Sequence, residues 1–160
     1  MEKLNTNYPD DKTMLYKLLK IQLQGMTDGV PYIGANLANA SALLGQALKN
    51  INWVGFYILE NDHLILSSFQ GKPACVKIKT GNGVCGTAVA KDETILVKNV
   101  HEFPGHIACD SASNSEIVIP IHANGKIYGV LDIDSPSFER FDEEDKNGLE
   151  SFVKQLESIF

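Results

Sequence analysis

Arginine is almost absent from this chain: Arg140 is the only one in 160 residues. One guanidinium cannot build the clustered, bidentate sites that recognise phosphates. A formal net charge of -6 argues further against nucleic-acid or anionic-membrane partners. No apolar run is long enough to span a bilayer, and the opening MEKLNTNYPDD lacks the apolar core of a signal peptide, so the expectation is a cytosolic protein. Cysteine is scarce too. Three thiols are too few, and odd in number, for a disulfide framework, which leaves structural thiols, metal ligands or redox chemistry. There is no CxxC, and His101, His106 and Cys109 do not have the spacing of a structural zinc site. These histidines read as hydrogen-bonded loop residues. The glycine-rich GNGVCG at 81–86 matches neither a dinucleotide nor a P-loop fingerprint. No repeat or low-complexity tract interrupts a chain whose length suits one domain, 1–160, with its own core.

What is present reads as helices, then short strands, then a helix. Leu15, Leu18, Leu19 and Met26 predict a helix over 12–26, and Ile33, Leu37, Ala40, Leu44 and Leu48 a second, with Pro31 near its first turn. These fill an N-terminal helical segment, 1–50. The run NWVGFYIL at 52–59 alternates, with Trp53, Gly55 and Tyr57 on one face and Val54, Phe56 and Ile58 on the other. The second set is core. On the first, Gly55 is expected to leave a gap between two aromatics in which a small ligand would fit. Turns at Asn61-Asp62 and Gly71-Lys72-Pro73 separate a strand over 64–69 from a short one over 75–79. A small-residue helix over 84–91 and a strand over 94–97 follow. After a long connection come strands over 117–121 and 127–134, joined by Asn124-Gly125. These strands and their loops make up 51–140. Asp142 and Asp145 have the spacing of a capping arrangement for a last helix, within 141–160, carrying Leu149, Phe152, Val153, Leu156 and Phe160. The order implies an α+β fold, a largely antiparallel sheet with helices on one face and a loop-roofed pocket on the other.

The connection VHEFPGHIACDSASNSE, 100–116, is expected to hold no regular structure and to be functional, because loops of that length are uncommon in compact domains. It would place Cys109 and Glu116 over a pocket. Asp132 and Asp134, two apart in a strand, share one face, and Glu116 heads the neighbouring strand. Single acids at strand ends are usually solvated and inert. Three crowded among apolar residues have raised pKa values, so one can keep a proton near neutrality while another binds an ammonium. A free cysteine is most often a buried small hydrophobe, which suits Cys85 among small apolar residues. Cys109, in a polar loop beside His106, has a setting that favours thiolate. Cys75, at an edge, is in a position to reach a loop cysteine, making Cys75 and Cys109 the preferred redox pair. Position alone does not fix that pairing.

Together GKPAC, GVCGTAVA, VHEFPGHIACDSASNSEIVIPI and GVLDIDSPSFERFDEED resemble the free methionine-(R)-sulfoxide reductases, stand-alone GAF domains, with the densest match between Trp53 and Asp145. The resemblance implies reduction of the R epimer of free methionine sulfoxide to methionine. It implies Cys109 as nucleophile, Cys75 as resolving cysteine and Cys85 as a secondary or alternate partner. Glu116, Asp132 and Asp134 would hold the substrate, with Trp53 at its methyl end and Tyr57 beside it. With arginine lacking, the α-carboxylate would be held by backbone N–H groups or a lysine. The implied chemistry needs no metal or organic cofactor, only an external dithiol, expected to be thioredoxin. The first helices also offer a surface for a homodimer. The competing reading is a non-catalytic small-molecule-sensing GAF domain. Sensors usually sit beside an effector domain and have no need of Cys75 and Cys109.

Overall fold

A computed structural model describes residues 6–160. Helix α1, Lys12–Thr27, is capped by the Asp11 side chain, which accepts from the Met14 N–H, and α2 spans Ile33–Ala47. Strands β1, Trp53–Glu60, and β2, His63–Gly71, form a hairpin whose turn residues Asn61 and Asp62 both have positive φ. The short β3, Lys77–Lys79, is followed by α3, Gly83–Lys91, and β4, Ile95–Val97. A second hairpin joins β5, Ser115–Ala123, to β6, Lys126–Ser135, through Asn124-Gly125, and α4, Glu143–Leu156, closes the chain. The strands make one antiparallel sheet in the order β3-β2-β1-β6-β5-β4.

The alternation in β1 divides the interior into two cores. Val54 and Phe56, with Ile117, Ile119, Leu131 and Ile133, pack beneath α1, α2 and α4. Trp53 and Tyr57, with Val118 and Val130, face the other way and meet α3. Three helices thus cover one face, while α3 and the loops cover the other.

The last helix is tied to the first by a buried carboxylate. Asp142 and Asp145 complete a reciprocal capping box. Asp145 accepts from the Tyr16 hydroxyl at 2.7 Å and pairs with Lys12 at 2.7 Å and Arg140 at 3.3 Å. The single arginine is therefore engaged in holding the fold. Removing one partner from such a group strands the others, so Asp145→Ala should cost about 3 kcal/mol in urea unfolding, with Asp142→Ala costing about 1 kcal/mol as a lost cap.

Three local expectations are corrected. The strand expected from residue 75 begins only at Lys77, because Pro73 has no N–H to pair and the Cys75 carbonyl is taken by the Tyr57 hydroxyl, which keeps Cys75 in a connecting loop. The connection 100–116 is not wholly irregular. A 3-10 turn occupies Val100–Glu102, and Glu116 already lies in β5. The gap expected at Gly55 is filled: a Cβ there would lie 2.3 Å from the Phe69 Cβ and 2.7 Å from the Trp53 ring. Glycine is required because three rings stack at that point, Trp53 with Phe69 at 5.3 Å and with Tyr57 at 5.9 Å.

Candidate active site

Register places the acids. Trp53 of β1, Asp134 of β6 and Glu116 of β5 lie directly opposite one another across three strands, and Asp132 sits in the next row beside Gly55 and Val118. All four side chains therefore share the α3 face. Above them lies a cleft of about 530 Å³ counting its open mouth, lined by Trp53, Tyr57, Cys85, Cys109, Glu116, Asp132 and Asp134 among others. A concave cleft with aromatic walls and a few convergent polar groups is the ordinary form of a small-molecule site.

A disulfide joins Cys75 to Cys109, with Cα atoms 5.6 Å apart, and Cys85 is a buried free thiol. Each cysteine loop has its own anchor. The Tyr57 hydroxyl donates to the Cys75 carbonyl at 2.9 Å, and the Trp53 indole N–H donates to the Lys72 carbonyl at 3.1 Å. Both aromatics thus hold the Cys75 loop as well as lining the cleft. On the other side, Asp110 accepts from the Ala112 N–H at 2.9 Å and from Asn52 Nδ2 at 3.1 Å, while Asn52 Nδ2 also lies 3.1 Å from Ser113 Oγ. The Ala112 bond, with help from Asn52 and Lys72, holds the Asp110 carboxyl below the ordinary range. Asn52, Asp110 and Ser113 were not singled out from sequence. The Asp-Ser-Ala after Cys109 is an Asx-turn signature, which was the available signal for Asp110. Asn52 and Ser113 gave none.

The acids are crowded and dry. Glu116 and Asp132 are each 6% exposed. Burial first, then the charges of Asp132 and Asp134, pushes the Glu116 carboxyl well above the usual carboxylate range. Burial, then the charges of Asp132 and Asp110, does the same for Asp134. Burial lifts Asp132 to about 6, restrained by hydrogen bonds from Glu116 and Cys85. Burial and crowding thus hold all three carboxyls above the ordinary range, with Asp132 the least raised by its neighbours. Asp132 Oδ1 is buried without a hydrogen-bond partner.

His106 Nε2 lies 3.9 Å from Glu116 Oε2, and burial with the nearby His101 lowers its pKa, favouring the neutral ring. His101 is a loop residue bonded to Asn114 at 2.8 Å. Cys85, Glu116 and Asp132 each bring one potential ligand atom within 4.8 Å of the others, the one such grouping among the described residues.

The GAF domain family matches residues 37–160. Over 149 residues the chain is 52% identical to the free methionine-R-sulfoxide reductase of Escherichia coli (strain K12), covering 93% of this chain and 90% of that one. Identity is 45% over 162 residues to the protein of the same name from Saccharomyces cerevisiae, with 95% and 90% covered. Among solved structures, the free methionine-R-sulfoxide reductase of Neisseria meningitidis in complex with its substrate superposes with a TM-score of 0.94. It is 42% identical, over 100% of this chain and 96% of that one.

Proposed function

The chain belongs to the free methionine-R-sulfoxide reductases, GAF-domain oxidoreductases, and we propose that it reduces free L-methionine (R)-S-oxide through Cys109, Cys75 and the acid cluster. The observation that carries this reading is the Cys75–Cys109 disulfide beside a cleft that also contains Glu116, Asp132 and Asp134. A binding-only domain has no need of that pair.

In the reduced protein the Cys109 thiolate attacks the sulfoxide sulfur. The oxygen takes a proton from the acid cluster and passes to Cys109, which becomes the sulfenic acid as the substrate sulfur gains two electrons and leaves as methionine. The Cys75 thiol then attacks the sulfenic sulfur, forming the disulfide and releasing water. An external dithiol, thioredoxin in the cell, restores both thiols by exchange. The carboxyl cluster serves twice. Its protons meet the departing oxygen, and its ionised member receives the substrate ammonium.

Selectivity for the free amino acid follows from the same geometry. An ammonium against buried acids has no room for a preceding peptide unit. The cleft lining includes Asn82 and Gly83 at the start of α3 but no lysine, and Asn82 makes no side-chain cap bond. The first N–H groups of α3 are therefore the partners we assign to the α-carboxylate. Lys72, 3.8 Å from Asp110 and 72% exposed, stays outside. Its replacement by methionine should leave KM within about twofold, the scale of an exposed ion pair.

A single-turnover experiment tests the cycle. Fully reduced protein, freed of reductant and given excess free R epimer, should release one methionine per chain and form one Cys75–Cys109 disulfide by peptide mass mapping. Methionine release without that disulfide would contradict the assignment of Cys75.

A further inference from the structure

We propose that Cys85 is a positioning residue that acts through Asp132: its thiol donates a hydrogen bond to that carboxylate and holds it in place to receive the substrate ammonium. This rests on the reductase reading above and gives the third cysteine a role outside the redox cycle.

Three observations converge. Cys85 Sγ, a Glu116 carboxyl oxygen and an Asp132 carboxyl oxygen lie within 4.8 Å of one another, all buried. Asp132 is 6% exposed and its buried Oδ1 has no other hydrogen-bond partner, so a neighbouring donor is the group that would fix the carboxylate. The α3 start that carries Cys85 is pinned. Gly81 N–H donates to Gly86 O at 2.8 Å, and a Cβ on Gly86 would lie 2.5 Å from the Lys79 carbonyl. Only glycine allows that approach, which sets Cys85 against the sheet. Cys109 is bonded to Cys75, leaving Cys85 as the one free thiol.

The electrical surroundings fit a donor. A cysteine in the first turn of a helix is ordinarily biased toward thiolate. Here burial, then the charges of Asp132 and Glu116, pushes the Cys85 thiol well up. The groups facing it are Tyr57 from β1, Glu116 from β5, and Asp132 and Asp134 from β6. His106, from the loop beyond Glu116, has its pKa lowered by burial. No cation among them favours a thiolate. A neutral thiol is a poor nucleophile but a competent S–H donor.

The test compares Cys85→Ala, which removes the donor, with Cys85→Ser, which replaces it. In the disulfide form the infrared S–H stretch reports Cys85 alone. It should show a hydrogen-bonded thiol and revert toward a free one in Asp132→Ala. In turnover, Cys85→Ala should raise KM about tenfold, the value of one hydrogen bond to a charged group. It should also move the acid limb of kcat/KM to higher pH, because Asp132 loses a bond that favours its ionised form. Cys85→Ser should restore both, and both variants should still form the Cys75–Cys109 disulfide. Wild-type KM and acid limb in Cys85→Ala, or an S–H band indifferent to Asp132, overturns the proposal. If the wild-type protein turns over no sulfoxide, the reductase reading fails instead, and the infrared band alone decides the donor.

Discussion

Cys109→Ser should lower kcat for methionine release by about four orders of magnitude or more, the scale on which loss of a covalent nucleophile is felt. A serine hydroxyl has neither the thiolate character nor the two-electron redox chemistry that the step consumes. The cleft itself should survive, since its anchors are the Asn52–Asp110 and Tyr57–Cys75 bonds, not the sulfur of residue 109. The variant should therefore bind free methionine sulfoxide in calorimetry while failing to reduce it. Cys75→Ser should fail differently. It should release one methionine and stop, with Cys109 trapped as sulfenic acid by a dimedone adduct. Full multiple turnover by Cys109→Ser in dithiothreitol would remove the nucleophile from the account.

The second large effect belongs to the acids. Glu116→Gln should lower kcat by about a hundredfold to ten-thousandfold, the contribution of a positioned proton donor, and flatten the alkaline limb of the pH profile. The same substitution should stabilise the protein. Unfolded, these carboxyls release their protons near about 4. Folded, Asp132 holds its proton to about 6, and Glu116 and Asp134 hold theirs well above the ordinary range. The folded state thus binds more protons than the unfolded one from about pH 4 upward, and stability falls as pH rises through about 6 and beyond. Glu116→Gln should reduce that slope and raise Tm at pH 8. Stability gained together with activity lost is the signature of groups held against their solvation for catalysis. A variant that loses activity and stability together would make Glu116 a structural residue.

The sheet was legible because its strands alternate and its turns carry Asn-Asp and Asn-Gly at positions of positive φ. The acid row followed from the same alternation: two-residue spacing in β6 puts Asp132 and Asp134 on one face, and the hairpin brings Glu116 across from Asp134. Gly55 was misread because period two shows which face a position occupies but not which strand fills the space above it. Phe69, from β2, does. The loop anchors were hidden for a related reason. Asn52–Asp110 and Asn52–Ser113 span 58 and 61 residues, and no local pattern encodes a side-chain bond of that separation. Cys85 was legible as buried, from its small apolar neighbours, but its contact with Asp132 depends on how closely α3 approaches the sheet.

The most direct test of the central claim is methionine release from separated R and S epimers of free methionine sulfoxide, with dithiothreitol as reductant and a peptide-bound sulfoxide alongside. The account predicts turnover of the free R epimer alone, none of the S epimer or the peptide. No turnover of either free epimer by fully reduced protein would contradict it.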